Sequence, residues 1–275
     1  MAFVRQVDWE HAEMKLPHGY RGQFLYSGED CHVVATLVPP GAKGPPQHRH
    51  PVDQMYVILS GTITIQLGGE VRTAGVNDTI FIPAGVPHHN WNDGDSDETH
   101  IEVIAPGVLP IQPLATAADG DADARGLPYF VRGASPDGPA PESSGIANRW
   151  LVRREDKSEH ATLYLTSVDP GVSATTTHIN AFHELYYVIE GTLSAAIGLD
   201  RYEAAAGSLV SIPAGVPHRF WNARSEPERH VAIVVPSPPD ANCMDARSAV
   251  TVASATTQRA SGCAGSPRVR ALIKE

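Results

Sequence analysis

Short runs of alternating apolar and polar residues, separated by Gly and Pro, recur along the chain. Met55–Leu59 and Thr62–Leu67 are rich in β-branched and aromatic side chains, and the Ser60-Gly61 pair between them is typical of a hairpin turn. A further run, Thr79–Ile82, stops at Pro83, as expected of a residue confined to strand ends. Long amphipathic helical periodicity is scarce in this part of the chain. The pattern predicts an all-β fold of short strands, a barrel or a jelly roll.

The same pattern occurs twice. The heptapeptide IPAGVPH stands at Ile82–His88 and again at Ile212–His218, an offset of 212 − 82 = 130 residues. That offset also relates His48 to His178 and the Gly-Thr pair at residue 61 to the one at residue 191. Several matches at the same spacing indicate a duplicated domain. The second copy therefore predicts its own strands at Leu185–Ile189, Thr192–Ile197 and Ser208–Ile212.

The length of 275 residues agrees with two domains, each large enough for its own core. We predict domains at residues 20–115 and 146–240. Residues 116–145 are rich in Ala, Asp, Gly, Pro and Ser and are predicted to be a linker, in which Leu127–Arg132 could still pack as a strand. Residues 241–275 have few aromatic side chains and are predicted to form a loosely ordered tail.

Charge and composition narrow the class of partner. The chain has 21 Lys and Arg against 31 Asp and Glu, a net charge of −10, and no basic cluster suited to nucleic acid or an anionic membrane. Small-molecule partners are therefore expected, with a homodimer as a possible assembly. The start of the chain lacks the apolar core of a signal peptide, and three cysteines form no CxxC pair. We expect a cytoplasmic protein.

Histidines in the first copy are spaced for a metal site. His48 and His50 should share one face of a strand, and a hairpin should return Gln54 to them. The turn after Ile82 should bring His88 from across the barrel. Buried imidazoles are costly unless they are paired or coordinate an ion, and neutral imidazole suits Fe, Ni, Mn, Zn or Cu. His48, His50, Gln54 and His88 are thus predicted to hold a divalent transition metal.

These spacings resemble those of the cupin superfamily, whose motifs are G-x5-H-x-H-x3/4-E-x6-G and G-x5-P-x-G-x2-H-x3-N. The matching residues in the first copy are Gly41, His48, His50, Gln54, Gly61, Pro83, Gly85, His88 and Asn92. The resemblance implies two tandem cupin domains, each a jelly-roll β-barrel. Three positions depart from the motifs: Gly41 is one residue early, Asn77 replaces a Gly, and Gln54 replaces the usual Glu. Asn tolerates the left-handed backbone that such a Gly provides.

The second copy keeps most of the same motifs. His178, Glu184 and His218 are retained, while Asn180 stands where the second motif histidine belongs. These three residues form either a two-His-one-carboxylate metal site or a degenerate one.

Three functions are compatible with these residues. The first is a metal-dependent dioxygenase acting on an enolisable or phenolic substrate, as resemblance to quercetinases and pirin-like bicupins implies. The second is a non-oxidative Lewis-acid enzyme, since His48–Gln54 is similar to the H-x-H-P-x-x-Q motif of cupins that are polyketide cyclases or hydroxynitrile lyases. The third is a ligand-binding cupin without turnover.

Gln54 and Tyr56 are the candidate catalytic residues. Three imidazoles and one amide leave the charge of an ion uncompensated, which favours an anionic oxygen ligand. Gln54 has no useful proton affinity, so a base must come from elsewhere. Tyr56 shares the inward parity of Gln54 and is the alternative acid or base, unless it only packs in the interior.

Overall fold

The computed structural model describes residues 3–109, 112–114, 126–139, 144–172, 176–238 and 248–249. Strands dominate these residues, whose only helical segments are short 3-10 turns at Trp9–His11, Pro17–Gly19 and Arg154–Asp156. Residues 116–125 and 140–143 of the predicted linker lie outside the described residues, and so does the predicted tail apart from residues 248–249. In the described part of the chain, no helix has the length and hydropathy to cross a membrane.

Two antiparallel sheets form the first barrel. The strands of this half are β1 (Val4–Gln6), β2 (Met14–Lys15), β3 (Arg21–Ser27), β4 (His32–Val38), β5 (His48–Arg49), β6 (Asp53–Ser60), β7 (Thr62–Leu67), β8 (Glu70–Gly75), β9 (Asp78–Ile82), β10 (His88–Trp91), β11 (Glu98–Ala105), β12 (Gln112–Pro113) and β13 (Phe130–Gly133). The larger sheet has the order β13-β9-β6-β11-β4-β3-β2, and the smaller has β12-β5-β10-β7-β8. Apolar side chains from both sheets, including Ile58 and Ile65, pack together between them.

The second barrel repeats this plan. Its strands are β14 (Ile146–Val152), β15 (Thr162–Val168), β16 (His178–Ile179), β17 (His183–Glu190), β18 (Thr192–Ile197), β19 (Asp200–Ala205), β20 (Ser208–Ile212), β21 (His218–Trp221), β22 (Glu228–Val235) and β23 (Ser248–Ala249). The sheet orders are β1-β20-β17-β22-β15-β14 and β19-β18-β21-β16-β23. The strands predicted from the alternating pattern are confirmed in both copies, and so is the all-β fold class.

In each barrel, one edge strand comes from the segment that precedes the other barrel in the sequence. Strand β1, at the start of the chain, pairs with β20 of the second barrel. Strand β13, which lies in the predicted linker and overlaps the segment expected to form a strand, pairs with β9 of the first barrel. Because β9 and β20 are equivalent strands of the two copies, the exchange is reciprocal.

The predicted hairpin at Ser60-Gly61 is wrong. Strands β6 and β7 lie in different sheets, so this pair of residues forms a corner between sheets. Gly61 is needed there because its φ is +66° and a Cβ would lie 2.5 Å from the carbonyl oxygen of Asp97. The tight two-residue turn is instead Gly68-Gly69, which joins the paired strands β7 and β8. Asn77 has a positive φ of 70°, as expected from its place in the motif.

The barrels pack against each other through the outer faces of their larger sheets. Along β11, Ile101 and Val103 point away from the first barrel and join a buried apolar cluster with Leu163 and Ile233 of the second. The alternate residues of the same strand therefore face the barrel interior. A strand buried on both faces can carry polar side chains only where they find partners inside.

Candidate metal centres

Three histidines meet inside the first barrel. The ligand atoms of His48, His50 and His88 all lie within 4.8 Å of one another, and the three side chains are buried. His48 on β5 and His88 at the start of β10 are direct partners across neighbouring antiparallel strands. The expectation that His88 arrives from across the barrel is therefore wrong, because β5 and β10 are adjacent in the smaller sheet. Gln54 also arrives differently, on β6 of the larger sheet rather than through a hairpin.

Backbone carbonyls fix the protonation of two of these rings. His48 Nδ1 donates to the carbonyl oxygen of Pro46 at 2.8 Å, and His88 Nδ1 donates to that of Val86 at 3.0 Å. In each neutral ring the Nε2 lone pair is left for another partner. Among the described residues His88 Nε2 has none. Burial lowers the pKa of both histidines, that of His88 strongly, and so favours the neutral form that binds metal. This donor set fits a transition-metal ion.

The amide of Gln54 is held by a carboxylate that sequence reasoning missed. Gln54 Nε2 donates a short hydrogen bond to Glu102 Oε1, while Gln54 Oε1 is buried and has no hydrogen-bond partner among the described residues. Glu102 lies on β11 and faces the interior. Burial raises the pKa of Glu102, and the hydrogen bond from Gln54 opposes this rise. The repeat contains the signal that could have found it, because the residue 130 positions later is Ala232.

Tyr56 is a buried phenol in the same interior. Its ring stacks on that of His100, with centroids 4.5 Å apart and an angle of 19° between the planes. Burial raises the pKa of Tyr56 well above its usual value, and the nearby Glu102 raises it further. Tyr56 is therefore suited to donate a hydrogen bond and unsuited to act as a base near neutral pH.

A buried carboxylate-histidine pair is present in both barrels. His100 Nδ1 lies 2.9 Å from Glu98 Oε1, and His230 repeats the contact with Glu228 at the same distance. Burial lowers the pKa of His100, but the charges of Glu98 and Glu102 together raise it above the usual value. Since the pair recurs in both barrels, it cannot explain a function specific to either.

The second cluster brings together His178, Glu184 and His218, whose ligand atoms also lie within 4.8 Å of one another. Asn180 Nδ2 donates to Glu184 Oε2 at 2.6 Å, and His218 Nε2 lies 2.8 Å from the same oxygen. His218 Nδ1 already donates to the carbonyl oxygen of Val216. The contact with Glu184 then requires a proton between the two side chains, in the place where an ion would bind.

The two interiors differ beyond their clusters. Two buried polar residues of the first barrel are replaced by apolar residues at the equivalent positions of the second. The replacements are Asn90 by Phe220 and Glu102 by Ala232. The second interior is therefore the more apolar of the two, and its Tyr186 packs edge-on against Phe220, with ring centroids 5.6 Å apart.

Comparison with known families agrees with this architecture. The family model of the cupin domain matches the chain twice, at residues 35–104 and 164–234, which is about half of its length. This chain is a bicupin. The two matches coincide with the two barrels, and each contains the histidines of its own cluster.

Curated relatives share only part of the bicupin's length. Mannose-1-phosphate guanylyltransferase ManC of Salmonella typhimurium is 32% identical over 99 residues, which are 36% of this chain and 20% of the transferase. Auxin-binding protein 4 of Zea mays is 27% identical over 92 residues, 30% of this chain and 45% of that protein. The bicupin thus aligns with about a fifth of the transferase.

Solved structures with the same fold cover most of the bicupin. Oxalate decarboxylase of Bacillus subtilis superposes with a TM-score of 0.63 at 16% identity, covering 86% of this chain and 76% of the decarboxylase. Another structure of that enzyme, from work on its Mn(II) centres, has a TM-score of 0.64 at 15% identity over 87% of this chain and 78% of the decarboxylase. AerE from Microcystis aeruginosa has a TM-score of 0.61 at 15% identity, covering 81% and 95%. At these identities the likeness establishes the fold.

Proposed function

We propose that this bicupin is a metal-dependent enzyme, and that its first barrel is a dioxygenase site for an enolisable or phenolic small molecule. The carrying observation is the buried set of three imidazoles, together with the buried amide oxygen of Gln54, which has no hydrogen-bond partner among the described residues. All four ligands of this set, His48, His50, Gln54 and His88, are neutral. An ion held by neutral ligands keeps its full charge and attracts an enolate or phenolate oxygen.

The residues around the cluster can bind the substrate and exclude water. Tyr56, kept protonated by its burial, can donate a hydrogen bond to an oxygen of the substrate. Apolar side chains such as Ile58 and Ile65 keep the interior dry, which strengthens every polar contact inside. The ion, when bound, would polarise the substrate and activate oxygen. Oxalate decarboxylase, by its name, also acts on a small molecule with anionic oxygens.

Oxygen uptake tests the dioxygenase proposal. The purified protein, loaded in turn with Fe²⁺, Mn²⁺, Ni²⁺, Cu²⁺ or Zn²⁺, is mixed with a panel of flavonols and β-diketones in an oxygen electrode. One oxygen consumed per substrate cleaved is expected, and His50→Ala should abolish it. Turnover under strictly anaerobic conditions at an undiminished rate would eliminate the dioxygenase.

A non-oxidative Lewis-acid reaction is the second candidate, and Gln54 favours it. Its amide nitrogen is committed to Glu102, and an amide cannot take up the substrate proton that a glutamate at this position could. A cyclase, lyase or isomerase would use the same ion to stabilise an enolate or alkoxide.

The variant Gln54→Glu probes the charge on which both candidates depend. A carboxylate in the ligand set would partly neutralise the ion. We expect Gln54→Glu to retain the metal, measured by elemental analysis, and to lower turnover. Higher turnover in Gln54→Glu would contradict the idea that the site depends on a fully charged ion.

A further inference from the structure

The contact between Gln54 and Glu102 has no counterpart in the second barrel. There, Glu184 occupies the position of Gln54 and belongs to the ligand cluster itself, while Ala232 occupies the position of Glu102. Near the ligand position the first barrel therefore has the carboxylate of Glu102, and the second barrel has that of Glu184. The first of these lies on β11, the neighbour of strand β6 that carries the ligand position.

The hydrogen bond decides which way the Gln54 amide faces. An amide nitrogen only donates, and a carboxylate oxygen accepts, so the Nε2 atom of Gln54 must face Glu102. The oxygen at the other end of the amide then faces away from the carboxylate. Gln54 Oε1 is buried and, among the described residues, has no donor of its own. Without Glu102, the amide could rotate and present two hydrogens to the histidine cluster.

We propose that Glu102 is a positioning residue that makes Gln54 an oxygen ligand. It anchors the amide nitrogen and directs Oε1 toward the ion that His48, His50 and His88 would hold. All four protein ligands are then neutral, and the side chain of Glu102 lies one hydrogen bond outside the ligand set. This inference rests on the proposed metal site of the first barrel. Such outer partners contribute about 10- to 100-fold to metal affinity in other proteins.

The test measures Mn²⁺ affinity by calorimetry and electron paramagnetic resonance on metal-stripped full-length protein. All variants carry His178→Ala, so that the second cluster does not contribute. We expect Glu102→Ala to weaken Mn²⁺ binding by about 10-fold or more. Glu102→Gln should retain affinity within about 2-fold, since its carbonyl oxygen can still accept from Gln54. The matched control is Glu98→Gln, which alters a buried carboxylate on the same strand and should also stay within about 2-fold.

A double-mutant cycle separates positioning from general support of the fold. If Glu102 acts through Gln54, then adding Glu102→Ala to Gln54→Ala should cost no further affinity. An equal loss with and without Gln54 would overturn the inference, as would a Glu102→Ala protein that binds Mn²⁺ normally. Loss of affinity in Glu102→Gln equal to that in Glu102→Ala would also overturn it. Failure of the parent protein to bind any transition ion in the first barrel would instead overturn the proposed function together with this inference.

Discussion

The first and second barrels share all their strands except β2, which only the first has among the described residues, but their interiors differ. In both, a histidine at the end of a two-residue β-strand faces a histidine on the next strand, as His48 faces His88 and His178 faces His218. Around this shared frame the first barrel keeps buried polar side chains, and the second is filled by side chains such as Phe220. Duplication therefore preserved the metal frame in both copies, while the surroundings diverged.

The difference separates what a metal cluster requires from what a substrate requires. His178, Glu184 and His218 could hold an ion, yet that barrel has Phe220 and Ala232 where the first has the polar Asn90 and Glu102. An apolar, filled interior suits stability more than the recognition of an oxygenated substrate. We infer that the first barrel is where chemistry occurs, and that the second mainly supports it.

The largest expected effect is the loss of a ligand in the first barrel. His50→Ala should weaken the binding of a divalent transition metal there by more than about 100-fold, since even outer partners contribute 10- to 100-fold. Asn180→Ala, at the equivalent position of the second barrel, is the control and should leave this site intact. Metal content after dialysis against a chelator measures both. Equal metal loss in the two variants would contradict the inferred difference between the two barrels.

The second prediction concerns packing. Phe220→Ala should destabilise the metal-free protein by about 3 kcal/mol, because it opens a cavity in an apolar interior. At the equivalent position, Asn90→Ala should cost about 1 kcal/mol, the typical value of a single hydrogen bond. Denaturant unfolding followed by fluorescence gives both values. A larger loss from Asn90→Ala than from Phe220→Ala would show that the first interior is the more tightly packed.

The third prediction restores the missing ligand. Asn180→His removes the hydrogen bond that holds Glu184 and supplies the histidine found at this position in the first barrel. Metal affinity in the second barrel should rise by about 10-fold or more, measured by titration of a His50→Ala background. Ile179→His, which adds a histidine one residue away, should give no such gain. Unchanged affinity in Asn180→His would mean that this pocket is not a weakened metal site.

The smallest expected effect is a pH dependence of the metal-free protein. Because burial lowers the pKa of His48 and His88, the unfolded chain binds more protons than the folded chain below about pH 6.5. Their contribution to stability should therefore be fully present above about pH 6.5 and should fall as the pH drops below that value. The slope should be shallower in His88→Gln. Parallel curves for the two proteins would assign the acid sensitivity to other groups.

Most of the fold could be predicted from the sequence because its determinants are local or repeated. Alternation gave the strands, and the offset of 130 residues gave the two domains. The corner at Gly61 was misassigned because the same Ser-Gly pair suits a hairpin or a change of sheet. Only the pairing of β6 with β11 and of β7 with β10 distinguishes the two, and that pairing is set by long-range packing.

The candidate site likewise has residues that the sequence predicts and one that it does not. His48, His50 and His88 stand at motif spacing and were found from it, and the structure places them together. Glu102 belongs to no motif and meets Gln54 only through the register of two strands that are 48 residues apart at this contact. Comparing the two copies position by position would have revealed a carboxylate where the second copy has Ala232. Such a comparison detects divergence, but not what the diverged residue contacts.

The exchanged edge strands mean that the repeat unit of the sequence is not the unit that can stand alone. A piece cut at residues 20 and 115 would lack β13, and one cut at residues 146 and 240 would lack β1. Each piece would expose the hydrogen-bonding edge of β9 or β20, where another chain could pair. A gene fragment encoding one copy is then a poor module for engineering, whereas a circular permutant that keeps both exchanges preserves every strand pair. The sequence contains two repeats, but the exchanged strands β1 and β13 join them into one folding unit.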